Sequence, residues 1–476
     1  MKNKIVSICI LSSLAMLNVA SQTFTHGRSQ TYTLPKDKEV LNKLDKWQDL
    51  KFGMLIHYGL YSELGIVESW SLCNEGWINR DSTSIYSEYK KNYWATIDHF
   101  KPNQLDPESW ATYGKQAGMK YVVFTTKHHD GFNMFDTKYS DFSIAKGAFK
   151  DHPRRNVAKE VFNAFSNQGY MIGAYYSKPD WHSQYYWWDR YAIADRNPSY
   201  SIDKNPWRWN QFKEFCYNQV QELMNGDYGK IDILWLDGGW VRPSIVEDAP
   251  KLEGDLYQGS QDINMPRIAA MARNYQPGLL VVDRTVAGEY ENYQTPEHGI
   301  PDVQLANAWE SCIPLGGAWG FVKNDTYKSH YKVIHLLTEI TAKGGNLLLG
   351  IGPKPDGTLP KEVEQRLDKI GEWVSENGDA IYNTRTTPTY NDNQTWFTQS
   401  KDGNKIYAIH CLAENEPLPK TIVWKGNEPQ RGSKIIFLQN GKPVDWKQTA
   451  SGIEISVPKG LPSDQPALTF VFDSVK

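Results

Sequence analysis

Short apolar runs recur along the chain, and each delivers a polar group at its C-terminal end. Residues 52–58 carry His57 at the exit and 121–126 lead into His128 and His129. Residues 170–176 reach Ser177, 231–236 reach Asp237, and 279–282 reach Asp283 and Arg284. Runs of this length read as strands, and their near-continuous apolar content implies cover on both faces. Helical patterning lies over 37–48 ahead of the first run, then over 107–116, 157–165, 207–224, 265–273 and 331–342. Strand and helix therefore alternate, which predicts a parallel sheet. Polar groups at so many strand exits are what the top face of a (β/α)8-like barrel provides. An open doubly wound sheet is the competing arrangement, but no Gly-x-Gly-x-x-Gly follows the first strand to support its nucleotide-binding form.

The run Gly-Gly-Asn-Leu-Leu-Leu-Gly-Ile-Gly-Pro from Gly344 predicts a last barrel strand, and 360–377 a closing amphipathic helix stopped at Gly378. Beyond about Thr389 the rhythm changes to short runs between turn residues: 395–399, 405–411, 421–424, 434–438, 453–457 and 467–472. These predict a C-terminal antiparallel β-sandwich. The chain thus divides into a leader over 1–20, a catalytic barrel over 36–382 and a sandwich over 389–476. The leader reading rests on Lys2 and Lys4, an apolar stretch from Ile5 to Val19, and small residues at Ala20 and Ser21. That stretch is shorter than the roughly 20 residues of a membrane span, and no later run is longer or as free of charge. An exported chain, periplasmic or secreted and without a membrane span, is the expectation.

Composition narrows the chemistry. A formal net charge of −3, with both signs mixed along the chain, offers no basic face for nucleic acid or anionic lipid, so a neutral substrate fits. The 18 tryptophans suit a site where sugar faces lie against rings, although many must serve the core. With Cys9 in the leader, Cys73, Cys216, Cys312 and Cys411 remain, none at metal-ligand or redox spacing, and buried free thiols are expected.

Asp237 ends a strand too apolar for a carboxylate to be explained by stability, and Gly238 and Gly239 let a ligand approach the backbone closely, with Trp235 and Trp240 as flanking walls. Capping of a following helix is the structural alternative. Glycosidic hydrolysis needs a second carboxyl group, and Glu289, Glu291 and Glu297 follow the strand that ends in Asp283 and Arg284. Spacing alone does not choose among them. His128 and His129 invite a metal, but neighbours on an extended chain point opposite ways, so hydrogen bonds to sugar hydroxyls are the better use; no metal and no cofactor are expected. Arg284 suits a carboxylate or a ring hydroxyl. The absence of Gly-x-Ser-x-Gly and of a phosphate-cradling loop lowers esterase, peptidase and kinase readings.

Several segments together resemble the α-L-fucosidases of glycoside hydrolase family 29. They are Lys-Phe-Gly-Met-Leu-Ile-His-Tyr-Gly-Leu-Tyr-Ser, Thr-Thr-Lys-His-His-Asp-Gly-Phe, Lys-Tyr-Ser-Asp-Phe, Ala-Tyr-Tyr-Ser, Leu-Trp-Leu-Asp-Gly-Gly-Trp, and Gly-Gly-Asn-Leu-Leu-Leu with Asp-Gly-Thr, spread over residues 47–382. The resemblance implies a (β/α)8-like barrel with a C-terminal β-sandwich, and a retaining exo-α-L-fucosidase acting through a covalent glycosyl-enzyme on a fucosylated oligosaccharide or glycoconjugate. Carried over by position, Asp237 is the nucleophile, and His57, His128, His129, Tyr176 and Arg284 bind fucose. Glu68 and Trp70 match the Glu-Trp loop with one residue inserted between them, and Trp319 matches a late aromatic wall. Thr-Pro-Glu favours Glu297 as acid/base, with Glu291 or Glu289 as alternatives. Tyr58 stands where the family commonly has tryptophan. A sugar-binding protein without turnover and a β-galactosidase are the rival readings, and oligomeric state is left open.

Overall fold

The computed structural model describes residues 32–73, 78, 80, 84–191, 195–244, 259–305 and 307–474. The leader at 1–20 lies outside the described residues. Seven parallel strands form one curled sheet: β1 (Phe52–Ile56), β2 (Tyr121–Lys127), β3 (Met171–Ser177), β4 (Ile233–Asp237), β5 (Leu280–Asp283), β6 (Glu310–Pro314) and β7 (Asn346–Ile351), in the order β5-β4-β3-β2-β1-β7-β6. The sequence predicts all of these except β6. Its Glu310, Ser311 and closing Pro314 break the apolar signature, yet every residue of the strand is buried.

Between the edge strands β5 and β6 runs the segment from Glu291 to His298. It is stitched to one side by the Val282–Glu291 bridge and to the other by Gln294–Trp309 and Glu297–Cys312. Further backbone bonds run from Asn292 N to Val281 O at 3.0 Å and from His298 N to Cys312 O at 3.0 Å. An irregular segment thus occupies the gap where an eighth strand is expected, and this is how Glu297 reaches the barrel mouth.

Strand alternation divides the core. Leu55, Tyr121, Val123, Tyr175, Ile233, Trp235, Leu280, Val282, Cys312 and Leu348 face inward and pack together with Trp47 and Tyr293. The opposite parity faces the helices, among them Pro107–Gln116, Val157–Asn167, Pro206–Met224, His330–Ala342 and Lys361–Asn377. Gly53 has inward parity, and a Cβ there would meet the Tyr121 ring at 2.4 Å, so only glycine leaves room for that ring. The helix Lys38–Leu50 starts where Asp37 accepts from the amides of Glu39 and Val40.

The remaining strands are β8 (Thr384–Asp392), β9 (Thr395–Ser400), β10 (Lys405–Cys411), β11 (Thr421–Trp424), β12 (Ile435–Phe437), β13 (Lys442–Val444), β14 (Trp446–Thr449), β15 (Gly452–Ser456) and β16 (Ala467–Asp473). They form a six-stranded and a three-stranded antiparallel sheet that share a core around Trp424, Phe437, Ile455 and Phe470. Cys73, Cys216, Cys312 and Cys411 are buried free thiols, as the sequence suggests.

Candidate active site

Asp237 is the last residue of β4, two positions beyond Trp235, so it shares the inward parity of that ring. Its Oδ1 accepts from Arg284 Nη1 at 2.8 Å and from the Gly238 amide at 2.8 Å. Its Oδ2 accepts from the Tyr175 hydroxyl at 2.6 Å and lies 3.7 Å from His129 Nε2. Arg284 also donates from Nη2 to Glu297 Oε2 at 2.8 Å, and its Nε bonds Thr295. One buried guanidinium therefore bridges both acidic groups, and it lies 4.3 Å over the Trp235 ring. Glu297 Oε1 in turn accepts from Trp319 Nε1 at 3.2 Å.

The histidines complete one wall. Ser69 Oγ accepts from the Asp130 amide at 3.1 Å and also bonds His128 Nδ1, which fixes that ring with Nε2 turned away from Ser69. Ser177 gives its proton to Pro179 O at 2.7 Å and accepts from His129 Nδ1 at 2.7 Å, and His129 Nε2 lies on the Asp237 side, 3.7 Å from Oδ2. His128 lines the cavity while His129 reaches Asp237 beside it, so the two rings lie on the same side, contrary to the expectation for an extended pair. β2 ends at Lys127, and the turn that follows sets the rings with centroids 4.3 Å apart. Burial pushes His57 well below the usual imidazole range and His128 down to about 4. His57 Nδ1 has no hydrogen-bond partner among the described residues.

Leu55 and Trp235 close the floor, while Trp70 and Trp319 line the sides together with His57, His128, Tyr175, Cys312 and Arg284. The Trp70 ring packs edge-on against His129, and Trp319 lies against His57. Glu68 is buried behind this wall, accepts from the Gly320 amide at 2.7 Å, and is pushed up to about 7 by that burial. It orients the Trp319 loop and is absent from the pocket lining. Tyr176 also lies elsewhere: its hydroxyl meets Gln219 at 2.9 Å and Lys127 at 3.1 Å on the helix side of the sheet. Position 175 has the inward parity, so Tyr175 is the tyrosine that reaches Asp237, a correction that follows from the period of two in a strand. Of the three candidate glutamates Glu297 bonds Arg284, whereas Glu291 pairs with β5 through its backbone and Glu289 precedes it by two residues. His128, His129 and Asp237 offer ligand atoms within 4.8 Å of one another, a grouping with the geometry to hold an ion. Asp237 already serves Arg284, Tyr175 and Gly238 there, which leaves its carboxylate a poor site for a second cation.

The α-L-fucosidase family pattern matches residues 19–379 of this chain. The chain belongs to the α-L-fucosidase family. It is thus a glycoside hydrolase. Curated relatives include the α-L-fucosidase of Dictyostelium discoideum, 25% identical over 94% of this chain and 95% of its own length. The human plasma α-L-fucosidase is 27% identical over 88% of this chain and 86% of its length. Among solved structures, α-L-fucosidase isoenzyme 1 from Paenibacillus thiaminolyticus aligns with a TM-score of 0.73 at 26% identity, covering 92% of this chain and all of its own. Thermotoga maritima α-fucosidase in complex with a mechanism-based inhibitor aligns at 0.70 and 26%, covering 93% and 100%.

Proposed function

We propose that this family member is an exo-acting, retaining α-L-fucosidase that removes terminal α-L-fucose from glycans, with Asp237 as nucleophile and Glu297 as acid/base. The observation that carries the reading is Arg284, whose two terminal nitrogens hold both carboxyl groups at 2.8 Å. Tethering to one guanidinium keeps the pair close, as a retaining pair must be, at about 5–5.5 Å. In the first step an Asp237 oxygen bonds the anomeric carbon, the glycosidic C–O bond breaks, and the departing oxygen takes the Glu297 proton. Water then returns a proton to Glu297 while its oxygen displaces Asp237 from the anomeric carbon. Both Glu297 oxygens accept hydrogen bonds in the sugar-free pocket, so proton delivery requires the side chain to turn from Arg284 or Trp319 toward the leaving group.

A floor closed by Leu55 and Trp235 supports a terminal sugar, and neutral imidazoles at His57 and His128 suit an uncharged one. No described helix is long and apolar enough to cross a membrane, and export to the periplasm or beyond is proposed from the leader pattern alone. The test uses a 4-nitrophenyl α-L-fucoside beside its β-D-galactoside, read for phenol release and for the anomer first formed. Asp237→Gly should abolish turnover, and azide should restore phenol release to Glu297→Ala with formation of a fucosyl azide. Inverted product, preference for the galactoside, or azide rescue at Glu291→Ala or Glu289→Ala instead overturns the corresponding assignment.

A further inference from the structure

Glu310, the first residue of β6, is a fully buried carboxyl group on the barrel axis beneath the site. Its Oε1 accepts from Trp235 Nε1 at 3.1 Å and its Oε2 from the Tyr121 hydroxyl at 2.7 Å. Trp235 is the plate between that carboxyl and the chemistry. One neighbour on its ring is Arg284, at 4.3 Å, and another is Tyr175, stacked with centroids 5.2 Å apart and planes inclined by 26°. Arg284 and Tyr175 are the side chains that hold Asp237.

We propose that Glu310 is a positioning residue for the hydrolysis, fixing through Trp235 the two groups that orient Asp237 and supplying a buried negative charge beneath Arg284. The inference rests on Asp237 being the nucleophile. A carboxylate hydrogen-bonded to the indole N–H makes the ring a stronger partner for a guanidinium, so the charge at Glu310 is felt at Arg284 without direct contact. The groups facing Glu310 are Tyr121 from β2, Tyr293 and Arg284 from the β5–β6 segment, and Cys312 from β6. Arg284 alone among them is cationic. Burial pushes Glu310 up to about 7, with Tyr121, Trp235 and Arg284 opposing that rise, so its charge is lost as pH falls through neutrality.

Glu310→Gln isolates the charge, because the amide oxygen can accept from Trp235 while the amide nitrogen donates to a turned Tyr121 hydroxyl. On 4-nitrophenyl α-L-fucoside at pH 7.5 we expect kcat to fall at least about tenfold with KM within about threefold, and the part of the kcat profile that titrates near 7 to flatten. Trp235→Phe keeps a ring under Arg284 but removes the indole donor, and the double variant should be no slower than the slower single one. If Glu310→Gln fails to fold, Trp235→Phe alone must still lower kcat and alter the same part of the profile. A Glu310→Gln enzyme with wild-type kcat and pH profile overturns the inference, as do effects of the two substitutions that multiply. Asp237→Gly separates the layers: if it is inactive while Glu310→Gln matches wild type, only the role of Glu310 falls, whereas full activity in Asp237→Gly removes the nucleophile assignment itself.

Discussion

Arg284→Met probes whether one cation organises both carboxyl groups. The side chain keeps an unbranched apolar stem as far as the ε position but loses the guanidinium, with its charge and five donors. Arg284 makes two charge-assisted bonds of 2.8 Å, to the buried Asp237 and the partly buried Glu297, each worth about 1.5–3 kcal/mol. Together they give about 3–6 kcal/mol, in line with the roughly 3–5 kcal/mol lost on breaking a buried pair from one side. At about 1.4 kcal/mol per decade this is a fall in kcat/KM of between about a hundredfold and about twenty-thousandfold on the aryl fucoside. Arg284→Lys separates charge from bridging. A single ammonium lacks the planar fork and serves one carboxylate at a time. It should therefore keep one bond and lose the other, costing on the order of 10- to 150-fold. Thermal midpoints recorded alongside exclude unfolding as the cause. A folded Arg284→Met enzyme within threefold of wild type would refute the claim that the bridge organises the site, and an Arg284→Lys enzyme equal to wild type would show that charge without geometry suffices.

The tyrosine pair should separate cleanly. Tyr175→Phe removes the 2.6 Å bond to Asp237 and should lower kcat/KM by about tenfold or more, whereas Tyr176→Phe, which loses bonds to Gln219 and Lys127 outside the pocket, should leave kcat/KM within about twofold and lower stability by about 1 kcal/mol. Stability should fall on acidification: His128 stays neutral in the fold down to about 4, while the unfolded imidazole ionises near 6.5. The unfolded chain then binds a proton that the folded one does not, so stability present above about 6.5 is lost as pH drops toward 4, by about 3 kcal/mol in total. Thermal midpoints between pH 7 and pH 5 should show a shallower fall in His128→Asn, and equal slopes would count against a buried neutral His128. Gly53→Ala pushes a methyl into the Tyr121 ring, which also bonds Glu310, and should lower the thermal midpoint and kcat together; a variant as stable and active as wild type would contradict the packing described.

Most of the sheet was legible because buried parallel strands are apolar on both faces, and the helix Pro107–Gln116 falls on its predicted bounds for the same reason of clear periodicity. That Asp237, His57, His128, His129 and Arg284 gather at one end of the sheet, in the candidate site, was legible because a polar group closing an apolar run has few structural explanations. Tyr175 was not, since in Ala-Tyr-Tyr-Ser either tyrosine suits a strand, and only register against Trp235 on β4 fixes which one faces inward. Glu297 was recoverable from resemblance alone. No apolar run or alternation marks the segment 291–298 as standing in for a strand, because it is held to β5 and β6 by isolated bridges alone.

The one barrel strand that patterning misses is the one that carries Glu310, and the reason is physical. A buried carboxyl group costs several kcal/mol unless its oxygens are satisfied, so a strand opening Glu-Ser and closing in Pro reads as a loop. In the fold that cost is offset by the Tyr121 hydroxyl, the Trp235 indole and the field of Arg284. Stability alone would be served as well by a floor in which Glu310, Tyr121 and Trp235 were all replaced by apolar side chains of similar size. A position where local sequence rules fail and the structure compensates group by group is where function is expected to have set the residue. Here the compensating groups lead from the barrel floor through Trp235 to the guanidinium that holds both acidic side chains. The expectation this yields is specific: Glu310→Leu leaves the Tyr121 hydroxyl and the Trp235 indole without their acceptor and should lower both the thermal midpoint and kcat, and a variant that is less stable yet fully active would reverse the argument.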